Sequence, residues 1–312
     1  MSDASAKSSD ISRLALLRQL PIAERALLAI LVELTAVPKP GNITPLHEKP
    51  QKRFEDFLSS AVALRTVFEK AASLATFQDR VGVLILDGVK AMLASQPGGN
   101  TLLGAILLLV PLCAAHHYIK GASAREASQL LVELMKSTSP RDAIFVYRAI
   151  RTANPRGLGH VEAFDVLDPA SEDRILAERK NLYDVMQLAA DRDLVAHELA
   201  NGYSICLSKA LPLATRVLQV TTSLRTTAAQ VAIFLLATYP DSHIARVHGF
   251  QTAQLVQRRA QKIWAAGGVL SPDGWRKLWE LDWFLTRGGL NPGATADLVA
   301  ATTFFLLLGV RP

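Results

Sequence analysis

Most of the residues that could do chemistry in this sequence lie in five short segments broken by proline and glycine. Pro38-Lys39-Pro40-Gly41-Asn42 holds a lysine between two prolines. An ammonium fixed beside free backbone N–H groups suits a phosphate, although two prolines also simply stop a helix. His47 and Glu48 follow in the same segment. Gln96-Pro97-Gly98-Gly99-Asn100-Thr101 runs a Gly-Gly turn into an apolar stretch, where Asn100 or Thr101 serves as an N-cap and the open N–H groups make an anion site. No Gly-Lys-Ser/Thr follows, so this is not a Walker A loop. The third segment carries Arg156, His160, Glu162 and Asp165, either as solvated loop or as an active site, and lacks the third glycine of a dinucleotide fingerprint. Tyr239-Pro240-Asp241-Ser242-His243 leads on to Arg246, with Asp241 an N-cap or a ligand. Asn291-Pro292-Gly293-Ala294-Thr295-Ala296-Asp297 enters a stretch, 298–308, that has no charged residue. A carboxylate at so apolar a mouth must be paired, protonated or bound to a cation.

Together these residues read as a polyphosphate site. Asp241 and Asp297, with Glu162 or Asp165, suit Mg²⁺, which takes a few carboxylates plus phosphate oxygens, while Lys39, Arg246 and helix N-termini hold the phosphates. Neither an Asp-Asp-x-x-Asp signature nor a His-Glu-x-x-His zinc motif is present.

The elements that must position them are helices. From residue 11 onward apolar residues recur at i, i+3, i+4 and i+7 and strand signals are almost absent, so the expected fold is all-α, with a frayed, disordered tail over 1–10 and a single domain over 11–312. The spacing predicts helices near 10–20, 22–36, 52–75, 79–95, 100–118, 123–136, 139–151, 171–190, 191–209, 211–220, 223–238, 243–266, 272–286 and 293–309. Ser139-Pro140 and Ser271-Pro272 each put a capping side chain before a proline at the first helical position. The longest apolar runs, 102–115 and 298–310, are too short to span a membrane and read as helices buried on every side.

With 34 Lys and Arg against 28 Asp and Glu, the net charge is only +6 and the basic residues are scattered, which argues against nucleic acid as a partner. Two cysteines exclude a disulfide scaffold and a four-cysteine zinc site, and as packed thiols they point to the cytoplasm. The expected partners are small molecules, with no membrane and with a homodimer left open.

At these same segments the chain resembles the triphosphoribosyl-dephospho-CoA synthase family. Lys39-Pro40-Gly41-Asn42 is similar to its Lys-Pro-Gly element, Gly99-Asn100-Thr101 with Gly104 to its Asn-Thr-His-Lys-Gly element, and Asp241-Ser242-His243 with Gly249 to its Asp-Thr-Asn element. Asn291-Pro292-Gly293 through Asp297-Leu298 is similar to its Ser-Pro-Gly-Gly-x-Ala-Asp-Leu element. The resemblance implies an all-helical enzyme that moves the ribose C1 of ATP, or of a related ribosyl polyphosphate donor, to a hydroxyl of dephospho-CoA or another alcohol acceptor and releases adenine. For that chemistry Asp241 and Asp297 are assigned to Mg²⁺, Lys39 and Arg246 to phosphates, and Glu162, in a polar loop that bears no capping role, to acid or base work. Gly41, Asn42, His47, Asn100, Thr101, His243, Asn291 and Gly293 would be the further substrate contacts. Leu102-Leu103 stands where the family has His-Lys, His243 where it has Asn and Ala294 where it has a second Gly. These departures resemble a branch found in archaea and one-carbon-metabolising bacteria and bear on the acceptor more than on the chemistry. Two alternatives remain: α-phosphoribosyl transfer in tetrahydromethanopterin-type cofactor assembly, and a non-catalytic helical nucleotide-binding protein.

Overall fold

The computed structural model describes residues 13–49 and 51–312, so the expected tail at 1–10 lies outside the described residues. Among the described residues there are helices and three isolated β-bridges but no sheet. The first half is built of α1 (Ile22–Thr35), α2 (Phe54–Ala63), α3 (Arg65–Ala72), α4 (Val81–Ala94), α5 (Leu103–Ile119), α6 (Ala124–Lys136) and α7 (Pro140–Ala153). The second half follows with α8 (Ala170–Ala177), α9 (Leu182–Gln187), α10 (Leu194–Ala200), α11 (Leu211–Thr221), α12 (Leu224–Thr238), α13 (Ser242–His248), α14 (Phe250–Ala265), α15 (Pro272–Arg287) and α16 (Gly293–Leu308).

The two stretches without a polar face form the centre. In α5, 14 of 17 residues are buried, and in α16, 13 of 16. A helix apolar all round has no face to offer water, so neighbours must surround it. α16 lies against α1, α5 and α12. Its two inner threonines return their hydroxyls to the carbonyls of Leu298 and Val299, each at 2.8 Å, and so bury no free donor. Tyr203 crosses the same core, its hydroxyl donating to the Leu108 carbonyl at 2.8 Å and its ring meeting Phe305 edge-on. No helix of the described residues is long and apolar enough to cross a membrane.

Both serine caps form as the sequence predicts: Ser139 accepts the Asp142 N–H and Ser271 the Gly274 N–H. Several long predicted helices are instead broken. Gly249, at φ +89°, divides 243–266 into α13 and α14. Asn181 caps a new start within 171–190 by accepting the Asp184 N–H, after Arg179 turns left-handed. Leu64 interrupts 52–75 between α2 and α3. The segment 191–209 breaks after α10 at Gly202, where a Cβ would stand 2.3 Å from the Ser128 carbonyl oxygen, and resumes as a π-helical turn, Cys206–Ala210.

Glu198 holds that last break. It is fully buried and accepts the N–H groups of Ile205 at 2.9 Å and Cys206 at 2.8 Å. Burial pushes its carboxyl up to about 7, against the pull of those donors. A carboxyl raised in the folded state favours folding fully below its unfolded pKa of about 4.5, and that contribution is lost as pH rises through about 7. Denaturant titrations of wild type and Glu198→Gln should therefore diverge over this window. The wild type is expected to lose up to about 3 kcal/mol relative to the variant, at about 1.4 kcal/mol per pH unit. A constant difference across the window would contradict the assignment.

Candidate active site

The N-termini of α5, α10, α13 and α16 open on one cleft of about 1790 Å³. Its other walls are the end of α1, Lys39, Asn42 and Ile43, Glu48 and Lys49, Gln51 and Lys52, and the loop after α7. Convergent helix starts bring positive dipole ends to one place, which favours anions, although Asn100, Asp193 and Asp241 already accept some of their N–H groups.

Asp297 lines this cleft, as do Glu33, Glu48, Asp165, Asp191 and Asp193. It sits one turn inside α16, against the first turn of α5, where Gly104 makes room for it: a Cβ on Gly104 would fall 1.9 Å from its Oδ2. Burial, then repulsion from Asp241 and Asp193, push its carboxyl well above the usual range, and the Ala105 N–H and Arg246 pull the other way.

Asp241 lies behind the wall. It is fully buried, and Oδ1 accepts the Ile244 N–H at 3.0 Å while Oδ2 accepts both the N–H and the hydroxyl of Thr295 at 2.8 Å. Protein donors thus reach both oxygens, so Asp241 is a strut joining α13 to α16, and it does not line the cleft, which gives its expected place among the metal ligands no support. Burial raises its carboxyl and the hydrogen bonds oppose the rise.

Lys39 lines the cleft but is buried, its ammonium donating to the Glu33 carbonyl at 2.9 Å and pairing with the Glu33 carboxylate. Burial pushes it down to about 7, with Asp297 acting against the fall. It therefore holds α1 to the cleft floor more than it offers a free cation. Asn42 donates to Asn291 Oδ1 at 2.8 Å, and the Asn291 carbonyl lies 2.8 Å from His243 Nδ1, so these three, with Gly293, form one continuous edge. Asn100 and Thr101 line the opposite edge. Asn100 Oδ1 accepts the Leu103 N–H at 3.2 Å, and the Thr101 hydroxyl meets that of Ser60 at 2.7 Å. Leu102 and Leu103 are buried there and give this edge an apolar floor.

Arg246 also lines the cleft, but its guanidinium is committed, to Asp193 at 2.9 Å and to the Arg156 carbonyl at 3.0 Å. Besides Asp241, three expected residues stand outside the cleft. Glu162 is exposed and does not line it, so its position gives no support to acid or base work. Gly41, at φ +74°, donates its N–H to Asp282 Oδ1 at 2.8 Å and lies so close to α15 and the turn after it that a Cβ would meet Leu285 Cβ at 2.8 Å and the Leu290 carbonyl oxygen at 2.6 Å. His47 Nδ1 sits 2.6 Å from the other oxygen of Asp282. Gly41 and His47 therefore anchor the 39–47 segment on Asp282, and neither lines the cleft.

The sequence reading missed Asp193, which caps α10 through the Val195 and Ala196 N–H groups while pairing with Arg246. It also missed the basic side chains Lys49, Lys52 and Lys209 and gave Arg156 no specific role, although all four line the cleft. The only available signal was that Lys49 and Lys52 share the short segment after Lys39. Among the described residues, no group of three or more His, Cys, Asp or Glu is arranged to hold a metal.

Comparison with known proteins identifies the family. A protein of Vibrio cholerae, assigned as a 2-(5''-triphosphoribosyl)-3'-dephosphocoenzyme-A synthase, is 25% identical over 288 residues, covering 88% of this chain and 83% of its own. The Klebsiella pneumoniae 2-(5''-triphosphoribosyl)-3'-dephosphocoenzyme-A synthase is 31% identical over 107 residues, 34% of this chain and 35% of its own. A crystal structure assigned as a triphosphoribosyl-dephospho-CoA synthase from Archaeoglobus fulgidus superposes with a TM-score of 0.63 at 25% identity, covering 81% of this chain and 98% of that one. Residues 20–311 match the family described as ATP:dephospho-CoA triphosphoribosyl transferase (CitG), and the chain belongs to that family of pentosyl-transferring enzymes.

Proposed function

We propose that this chain moves the triphosphoribosyl group of ATP to an alcohol, dephospho-CoA being the acceptor in the family's description, with an α-ribosidic link formed and adenine released. The observation that carries this reading is the convergence on one cleft of residues from four sequence-distant elements: Lys39 and Asn42, Asn100 and Thr101, His243 and Arg246, Asn291 and Asp297. At about 1790 Å³ the cleft exceeds the roughly 300–1,000 Å³ of an ordinary single-ligand pocket and leaves room for donor and acceptor together.

Transfer at a ribose C1 passes through an oxocarbenium-like transition state, which needs a negative environment and two held reactants more than covalent help from the protein. Asp297 would supply that charge once a cation beside it offsets the burial and repulsion that otherwise favour its protonated form. His243 is a better placed base than Glu162. Its Nδ1 faces the Asn291 carbonyl and so carries the proton, which leaves Nε2 as acceptor, and burial lowers its pKa so that the ring is neutral near pH 7. Among the described residues no three protein ligands are gathered for a metal, so Asp297 would offer Mg²⁺ one carboxylate and the donor phosphates would supply the other ligands, as that ion allows. Bound there, it would neutralise phosphate charge beside the carboxylate.

The test is adenine release, followed by chromatography, on incubation with ATP, Mg²⁺ and dephospho-CoA. Acceptor-dependent adenine is expected. Absence of adenine with dephospho-CoA and with a panel of other alcohols would end the transferase reading.

A further inference from the structure

Three cations gather on one side of the cleft without a matching set of acids. Lys49 and Lys52 face each other across an antiparallel bridge closed by two hydrogen bonds, Lys49 N–H to the Lys52 carbonyl at 3.1 Å and Lys52 N–H to the Lys49 carbonyl at 3.0 Å. Residues paired in this way send their side chains to the same face. Arg156 arrives from the loop after α7 and is docked through its backbone: its carbonyl accepts from Arg246 Nε, and Gly157, at φ +75°, packs so tightly on α13 that a Cβ would stand 2.5 Å from the Arg246 carbonyl oxygen. Lys52 is further fixed on the Asn100 carbonyl at the mouth of α5.

The neighbouring acids are turned to other work. Glu48 accepts the Phe54 N–H at 3.0 Å and Asp56 the Arg53 N–H at 2.8 Å, both at the start of α2. Among the described residues neither Lys49 nor Arg156 has a side-chain hydrogen bond. The three cations repel one another. Burial first, then Arg156 and Lys49, push Lys52 down to about 8 against Asp56, and burial and Arg156 lower Lys49 as well. Like charges drawn together and partly desolvated by a rigid backbone are unfavourable until an anion joins them.

We infer that Lys49, Lys52 and Arg156 form a seat for a chain of linked phosphates, the polyphosphate tail of the donor nucleotide. The inference deepens the transfer proposed above and rests on that reading only in naming the donor. Two ammonium points and one guanidinium fork suit a tail that offers oxygens on successive phosphates. The tail stays on the ribose throughout a triphosphoribosyl transfer, so the seat grips substrate and transition state alike. Uniform binding of this kind appears in KM and leaves kcat nearly unchanged.

Calorimetry with inorganic tripolyphosphate tests the seat without any need for turnover. Lys49→Gln and Arg156→Gln should each weaken binding at least about tenfold, a typical loss for one charge-assisted contact. Lys209→Gln, at another lysine of the same cleft, should change it less than about twofold. In the adenine assay the first two variants should raise the KM for ATP by a similar factor with kcat within about threefold. Arg156 is exposed, so its variant will fold even if a change at Lys52 disturbs the turn. The seat is overturned if wild-type protein fails to bind tripolyphosphate, if Lys49→Gln and Arg156→Gln bind it as tightly as wild type, or if Lys209→Gln weakens it equally. Ranked tripolyphosphate binding with no adenine release would keep the seat and remove the transfer reading. Adenine release with unchanged KM in both variants would do the reverse.

Discussion

Asp297→Asn should lower the rate of adenine release at least about a hundredfold, the scale on which enzymes lose a preorganised electrostatic group, while the protein stays folded. Asparagine keeps the size and removes the charge, and the helix beyond position 297 has no other charged residue to take its place. Stability should hold or rise, because the carboxylate is desolvated and repelled by Asp241 and Asp193, so its charge works against folding. Gly104→Ala gives an independent reading of the same group. The new methyl would arrive 1.9 Å from Asp297 Oδ2, and α5, with 14 of its 17 residues buried, cannot retreat. The carboxylate must then turn away, and a comparable loss of rate is expected with every charge retained. Thermal melts beside the adenine assay separate this outcome from unfolding. A folded Asp297→Asn enzyme with wild-type turnover would remove Asp297 from the chemistry.

What the sequence revealed and what it hid follow from the kind of interaction involved. α5 and α16 were legible because an all-round apolar helix has few alternatives to a central position. Ser139 and Ser271 were legible because a cap acts on its own next turn. Gly249 gave no warning, since a glycine within a helical pattern is usually tolerated, and only its left-hand turn shows that α13 and α14 are separate. The residue types of the candidate site were visible in its loops, but not which way each pointed. Glu162 and Asp165 are three apart and chemically alike. Asp165 turns inward onto the Leu167 and Val161 N–H groups and His160, whereas Glu162 remains in solvent. Lys49 and Lys52 were hidden for the same reason, because a lysine pair in a turn reads as solvated surface until Arg156 is brought beside it by a contact across the fold.

Asp241 is the residue whose role changes most between sequence and structure, and its variants should carry a signature opposite to that of Asp297. Asp241→Ala leaves the Ile244 N–H, the Thr295 N–H and the Thr295 hydroxyl without their buried acceptor. Each orphaned donor costs about 1–3 kcal/mol, and relief of a desolvated carboxylate offsets part of the sum, so a net loss of about 3–5 kcal/mol is expected. Asp241→Asn retains one acceptor oxygen and should lose about half as much. Because Asp241 acts through the junction of α13 with α16, the folded fraction of Asp241→Asn should keep turnover within about tenfold of wild type and an unchanged dependence on Mg²⁺. Denaturant melts and the adenine assay, run on the Asp241→Asn and Asp297→Asn pair, should therefore diverge: stability falls in the first and turnover falls in the second. A fully stable Asp241→Asn protein that has lost its Mg²⁺ dependence would return Asp241 to the metal, since a strut cannot be removed without a mark on stability, whereas a ligand can.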